Sequence, residues 1–152
     1  MKITYKGDYA LKALLQLALR YGEDNSVVMS ISDIAKSGDM PEKFLEQILL
    51  SLRRGGFVKS RRGIKGGFLL AHHPRDITIG QVIRFIEGPI EPISCIEAGR
   101  YKGCKDVSNC IFRDVWKELY GAMSAVVDTI TFDDLIRRHK EKESKFNYEY
   151  TI

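Results

Sequence analysis

The three cysteines of this 152-residue chain, Cys95, Cys104 and Cys110, all fall within one stretch, CIEAGRYKGCKDVSNC. Their spacing is C-x8-C-x5-C. A loop so rich in Gly, Lys, Asp and Asn has little apolar surface to bury, so its thiols do not suit the usual role of cysteine as a small core hydrophobe. Clustered thiols suit a soft metal or an iron–sulfur cluster, because thiolate sulfur is the preferred donor for zinc and for Fe–S iron. Three thiolates leave one coordination position to be filled from elsewhere. An odd cysteine count argues against a disulfide framework.

The second chemically distinct stretch is cationic. Residues 47–75 hold Arg53, Arg54, Lys59, Arg61, Arg62, Lys65 and Arg75 and no acidic residue, whereas the whole chain carries only +4. The remainder is therefore at −3. A basic block on a mildly acidic body predicts a localised contact with a polyanion. An apolar fraction of 44% supports an ordinary core. No run approaches the roughly 18–20 apolar residues of a membrane span. The opening MKITYKGDYALKALLQLALRYG is interrupted by Asp8 and Lys12 and lacks a signal-peptide cleavage pattern, so a cytoplasmic protein is expected.

Helical periodicity places these groups. Residues 6–21 form an amphipathic helix, closed by Gly22 to Asn25, with Asp8 in its first turn where a carboxylate favours the dipole. Ser30 and Asp33 start a short second helix that breaks at Ser37-Gly38. A third follows, with Asp39 as expected N-cap and Phe44, Leu45, Ile48, Leu49 and Leu52 as its apolar face. Two short helices and a Gly-containing turn make a helix-turn-helix, whose second helix reads base edges near its N-terminus. Those positions are Lys43, Glu46 and Gln47, suited to guanine or phosphate, cytosine N4 and adenine respectively. Strands over 57–60 and 67–71 around RRGIKG then form a wing, with Arg61, Arg62 and Gly63 at its basic tip.

Residues 78–88 predict a further helix with Thr78 as N-cap, and Pro89 and Pro92 lead into the cysteine loop. The longest periodic segment runs from about Ser108 to Thr129, with a stripe of Ile111, Val115, Leu119, Met123, Val126 and Ile130. That surface exceeds what a small winged domain covers and predicts a dimerisation helix, with packing inside one chain as the alternative. A short helix after Thr131 and a charged, mobile tail complete the chain. The expected fold is mainly α with a small β-wing. Its parts are a winged helix-turn-helix DNA-binding domain over 1–88, a cysteine loop over 89–110, a dimerisation helix and short helix over 111–138, and a tail over 139–152.

These pieces resemble the IscR/NsrR family of bacterial winged-helix regulators. The resemblance rests on MKITYKGDYALKALLQLAL, KFLEQILLSLRRGGFVKSRRGIKGGFLLA, DITIGQVIRFIEGPI, the cysteine stretch and FRDVWKELYGAM, in order to about residue 137. It implies a homodimer on palindromic operators, base reading by Glu46-Gln47, a wing contact at Arg62-Gly63, and an iron–sulfur cluster, 2Fe-2S in preference to 4Fe-4S, that alters DNA binding. The chain departs from the biogenesis regulators in its wider first cysteine gap and in Arg113, which stands where they have a ligating His. Asp8 resembles the nitric-oxide-responsive branch, where an aspartate at that place completes coordination from the partner subunit. The implied ligand set is Cys95, Cys104, Cys110 and Asp8, with Glu97, Asp106, His72 and His73 as other fourth ligands. Structural zinc, or thiols that sense by oxidation with Arg100, Lys102 and Lys105 nearby, are the alternatives. An iron–sulfur electron carrier is disfavoured by the basic wing. No nucleophile–base pair or nucleotide-binding glycine motif points to an enzyme.

Overall fold

A computed structural model describes residues 3–22, 27–96, 104 and 108–149. The elements run α1 (Tyr5–Leu19), α2 (Ile31–Gly38), α3 (Glu42–Arg54), β1 (Val58–Arg61), β2 (Gly67–Leu70), α4 (Ile79–Glu87), α5 (Ile111–Thr129) and α6 (Phe132–Glu149), with one 3-10 turn at Pro74–Asp76. No described helix is long and apolar enough to cross a membrane.

The central helix is α1, which packs against α2, α3, α4, α6 and β2. Its Ala10, Leu14 and Leu17 meet Ile34 of α2, Leu45, Leu49 and Leu52 of α3, and Val82 of α4 in one buried cluster. Alanines at 10, 13 and 18 allow close approach from several sides. The strands pair antiparallel in the register Val58↔Leu70 to Arg61↔Gly67. Phe68 also exchanges two backbone hydrogen bonds with Met29 (2.8 and 2.9 Å), pinning the wing to the segment before α2. Gly67 permits this, since its φ of +157° is open to glycine and a Cβ there would collide with the Met29 carbonyl.

Short polar motifs set the helix starts. The Ser30 hydroxyl accepts from the Asp33 N–H (3.1 Å) and donates to Oδ2 of Asp33 (2.7 Å). Thr78 and Gln81 form a reciprocal capping box on α4. Asp39 departs from its expected role as the N-cap of α3. It is instead the C-cap of α2, left-handed at φ 50° and ψ 57°, and Pro41 is the N-cap of α3 without a side-chain bond. A left-handed residue is what ends α2, and a short polar side chain tolerates that backbone.

The C-terminal third differs most from expectation. In place of a short helix and a mobile tail, α6 continues through the charged segment to Glu149. Thr131 and Asp134 cap it reciprocally, with Asp134 Oδ2 accepting from the Thr131 N–H at 3.0 Å. Phe132 anchors it in the main core at 0% exposure, with Leu135 and Ile136 packed on that core. Farther out, His139 and Glu143 lie 3.3 Å apart at an i,i+4 spacing that favours helix. By contrast α5 buries no residue of its own within the protomer, and Ile111 (77%) and Phe112 (62%) stand out into solvent.

Two predictions follow from this packing. Phe132→Ala should cost about 3–5 kcal/mol, read as a lowered urea midpoint. The second concerns acid. The Glu87 carboxyl lies below its ordinary range, chiefly through the Thr4 hydroxyl hydrogen bond, and Asp33 and Asp134 are lowered by Ser30 and Thr131. Depressed carboxyls contribute stability that is complete above their unfolded values, about 4, and lost as pH falls through the folded ones. Stability should therefore drop in that acid window, and Glu87→Gln should make the drop shallower in pH-dependent urea titrations.

Candidate nucleic-acid interface and cysteine loop

The recognition helix is amphipathic with its core stripe at Leu45, Ile48, Leu49 and Leu52. That spacing turns Lys43, Glu46 and Gln47 outward, and all three are exposed. Phe44 is a correction to the sequence reading, which put it on the apolar face. It is 65% exposed and lines a cleft of about 530 Å³ with Tyr5, Tyr9, Gln47 and Ile48. One position before Leu45 it lies some 100° off the stripe, at the edge facing α1. The cleft therefore joins the first turn of α1 to Gln47 of α3.

All seven cations of the basic block are exposed, and Arg53 Nη1 donates to Ser60 Oγ at 3.2 Å, linking the end of α3 to β1. The wing tip is a tight turn in which the Gly66 N–H donates to the Gly63 carbonyl at 2.9 Å. Gly63 sits at φ +110°, and a Cβ on Gly66 would collide with the Arg61 carbonyl. The glycines thus hold Arg61 and Arg62 at the base of a compact projection.

In the cysteine loop, Cys95, Cys104 and Cys110 are all free thiols; Cys95 and Cys110 are half-buried and Cys104 is exposed. Cys110 is the N-cap of α5 and makes no side-chain cap hydrogen bond, while its carbonyl accepts from the Arg113 N–H of the first turn at 3.1 Å. Arg113 reaches from that turn to donate through Nε to the Cys95 carbonyl at 3.1 Å. This residue cannot ligate iron, yet it ties the first cysteine to the helix that begins at the last. No sequence pattern announces that role. Glu97, Arg100, Lys102, Lys105 and Asp106 lie outside the described residues.

Asp8 lies in the first turn of α1, half-exposed and paired with Lys12 at 2.8 Å. Its hydrogen bond holds the Lys12 ammonium above its ordinary range. Among the described residues of one protomer, no three His, Cys, Asp or Glu side chains converge into a metal-holding group. His73 serves locally, its Nδ1 accepting from the Arg75 N–H at 3.2 Å and its ring edge against Tyr21.

Two contacts hold α4, the helix that precedes the loop. Glu87, the last residue of α4, accepts through Oε1 from the Thr4 N–H (3.0 Å), the Thr4 hydroxyl (2.6 Å) and the Gly7 N–H (3.1 Å). A Cβ on Gly7 would collide with that oxygen. Three residues earlier, Arg84 of α4 forms a two-point ion pair with Asp128 near the C-terminal end of α5, with Nη2 to Oδ2 at 2.9 Å. The pair lowers the Asp128 carboxyl and raises the Arg84 guanidinium. Gly80 leaves room for the Asp128 carboxylate.

The Rrf2 family profile, described as an iron-dependent transcriptional regulator, matches residues 3–138. The chain belongs to the Rrf2 family. An rrf2-like HTH-type regulator of Rhodobacter capsulatus is 39% identical over 137 residues, spanning 88% of this chain and 91% of that protein. The structure of CymR, the global cysteine regulator of B. subtilis, superposes with a TM-score of 0.77 at 35% identity, covering 91% of this chain and 98% of the other. T. potens IscR gives 0.73 at 32%, covering 93% and 90%. This Rrf2 protein is thus a winged-helix DNA-binding transcriptional regulator and not an enzyme.

The exposed recognition residues separate two kinds of contact. Glu46→Ala should change base preference in binding to randomised duplexes while leaving non-specific affinity near its starting value. Arg61→Ala should weaken binding to every sequence and reduce the slope of log K against log salt by about one.

Proposed function

We propose that this Rrf2 protein is a cytoplasmic homodimer whose binding to a palindromic operator is set by an iron–sulfur cluster held by Cys95, Cys104 and Cys110. The partner subunit's Asp8 is the fourth ligand. The observation that carries the reading is the presence of three free thiols on the segment joining α4 to α5. The donor set fits a cluster: soft thiolates, and beside Cys110 a helix N-terminus that favours an anionic group. The family description as iron-dependent supports it. The exposed apolar residues of α5, which include Val115, Leu119 and Val126 beside Ile111 and Phe112, suit a second copy of the same helix. Such a dimer brings an Asp8 to a cysteine loop from outside the protomer.

On DNA, Lys43, Glu46 and Gln47 face the major groove, and Arg61, Arg62 and Gly63 enter the minor groove. A bound cluster, of the 2Fe-2S type in preference to 4Fe-4S, supplies a centre whose oxidation state or loss alters the ligand set. The chain's own residues carry the consequence. Arg113 ties Cys95 to α5, Arg84 fixes α5 on α4, and Glu87 ties α4 to the turn of α1 that bears Asp8. A change in the loop therefore acts on both the α4–α5 angle and the start of α1.

Similarity to the global cysteine regulator CymR favours a second reading, in which the exposed Cys104 senses oxidants or thiol status without a cluster. Anaerobic purification with assays of iron, acid-labile sulfide and zinc decides between the two. The expected result is iron with sulfide, abolished in Cys104→Ala and made labile in Asp8→Ala. Zinc alone, or no metal, would sink the cluster reading and leave the thiol reading and the DNA-binding assignment in place.

A further inference from the structure

The wing tip carries one residue that the charge argument does not use. Ile64 has a relative exposure of 108%, more than any other large hydrophobic residue described. It occupies the second position of the Gly63–Gly66 turn, between Arg62 and Lys65. The turn is too tight to fold this side chain back, because Gly66 packs directly on the Arg61 carbonyl and on the Gly63 carbonyl at 2.8 Å from a would-be Cβ. An isoleucine here adds nothing to the protomer's core. A β-branched apolar residue is also a poor choice for a solvated turn, where Gly, Asn, Asp and Ser are favoured on conformational grounds.

The surroundings identify what covers it. Residues 47–75 carry seven cations and no anion, all exposed, so the tip is directed toward a polyanion. A narrow minor groove has the most negative potential on duplex DNA and draws arginines into it. Minor-groove proteins also place apolar side chains such as Ile against base steps there. We propose that Ile64 is a specificity-determining residue that packs on the minor-groove floor and selects A·T pairs at the wing position. This rests on the DNA-binding assignment of the wing. The chemistry of the floor gives the selection its direction. A G·C pair raises the guanine 2-amino group into the groove, where it blocks close approach and offers a donor that an isoleucine cannot satisfy. An A·T pair offers only recessed acceptors, which tolerate incomplete satisfaction better than an orphaned donor.

Arginine in a narrow groove also favours A·T sequences, through groove width, so the test must separate the two side chains. Operators are first enriched from a randomised duplex pool with the full-length protein. Affinities are then measured at one salt concentration for operators bearing A·T, G·C or inosine·C at the wing position. Inosine·C keeps the major-groove face of G·C but lacks the 2-amino group. Wild-type protein should bind A·T and inosine·C alike and G·C on the order of tenfold more weakly, the usual penalty range for one wrong pair. Ile64→Ser should fold as the wild type, keep its salt slope and lose most of the G·C penalty. Arg62→Ala should weaken all three operators and keep the penalty. Retention of the penalty in Ile64→Ser with its loss in Arg62→Ala would overturn the proposal in favour of shape reading by the arginine. Equal wild-type binding to the three operators would overturn it as well. Failure of wild-type protein to enrich any duplex would instead overturn the DNA-binding assignment.

Discussion

One carboxylate oxygen fixes the relation between the two ends of the winged domain. Glu87 Oε1 receives three donors from the start of α1, two backbone amides and the Thr4 hydroxyl. Those amides are among the N-terminal donors that a helix cannot satisfy internally. A negative charge there also meets the positive end of the α1 dipole. The bond spans 83 residues of sequence to Thr4, so it joins the first element of the chain to the last residue before the cysteine segment. Gly7 is needed for this contact, because any side chain would displace the carboxylate. Since α1 is the helix on which α2, α3, α4 and α6 all pack, its start sets the frame for the rest.

The C-terminal helices divide two tasks between them. α6 returns to the winged domain through Phe132 and a backbone bond from its N–H to the Ile77 carbonyl (3.0 Å), closing the chain on its own core. α5 is held at its C-terminal end by that closure and by Arg84–Asp128, and at its first turn by Arg113 on the Cys95 carbonyl, yet buries none of its own residues. An apolar helix held in place but left uncovered has the stiffness an interface needs, with no cost of ordering a loop on association. Polar anchoring at fixed points and apolar exposure between them are thus complementary properties of one element.

Much of this was legible in the sequence because it is local. Apolar spacing located α1, α3, α4 and α5 to within a few residues, and the Ser30–Asp33 and Thr78 starts follow from side chains bonding their own first turns. Glycines at 63, 66 and 67 marked the wing for the same reason. What sequence reading missed depends on distant partners. Nothing local to Glu87, Arg113 or Arg84 shows that they bond residues far along the chain. The length of α6 was hidden because its charged half has little apolar periodicity and continues from a docked start. Phe44 failed for a related reason. It satisfies the helical pattern, but whether the edge of an apolar stripe is covered is decided by the neighbouring helix. The proposed ligand side chains Cys95, Cys104, Cys110 and Asp8 were named from residue type and resemblance, and in the proposed dimer the Asp8 comes from the second chain.

The position of α4 bears on the proposed control of DNA binding by the loop beyond its C-terminus. This nine-residue helix is tied to the start of α1 by the three bonds that Glu87 accepts and to α5 by the Arg84–Asp128 ion pair. Its third contact is apolar. Phe85 packs on Phe57 with the rings tilted by 57° and their centroids 5.4 Å apart, and it lies over Gly55, where a Cβ would come within 2.6 Å of the ring. Gly55 is the C-cap of the recognition helix, and Phe57 leads directly into the wing. A glycine at 55 lets the ring seat against the backbone itself, so displacement of α4 is transmitted to the α3–β1 junction without slack from an intervening side chain. Packed interiors respond to such displacements by switching between discrete arrangements more than by graded deformation. Phe85 brings α4 against the α3–β1 junction and Arg84 holds it to α5, so under the proposed control a change in the seat of α4 would reach both.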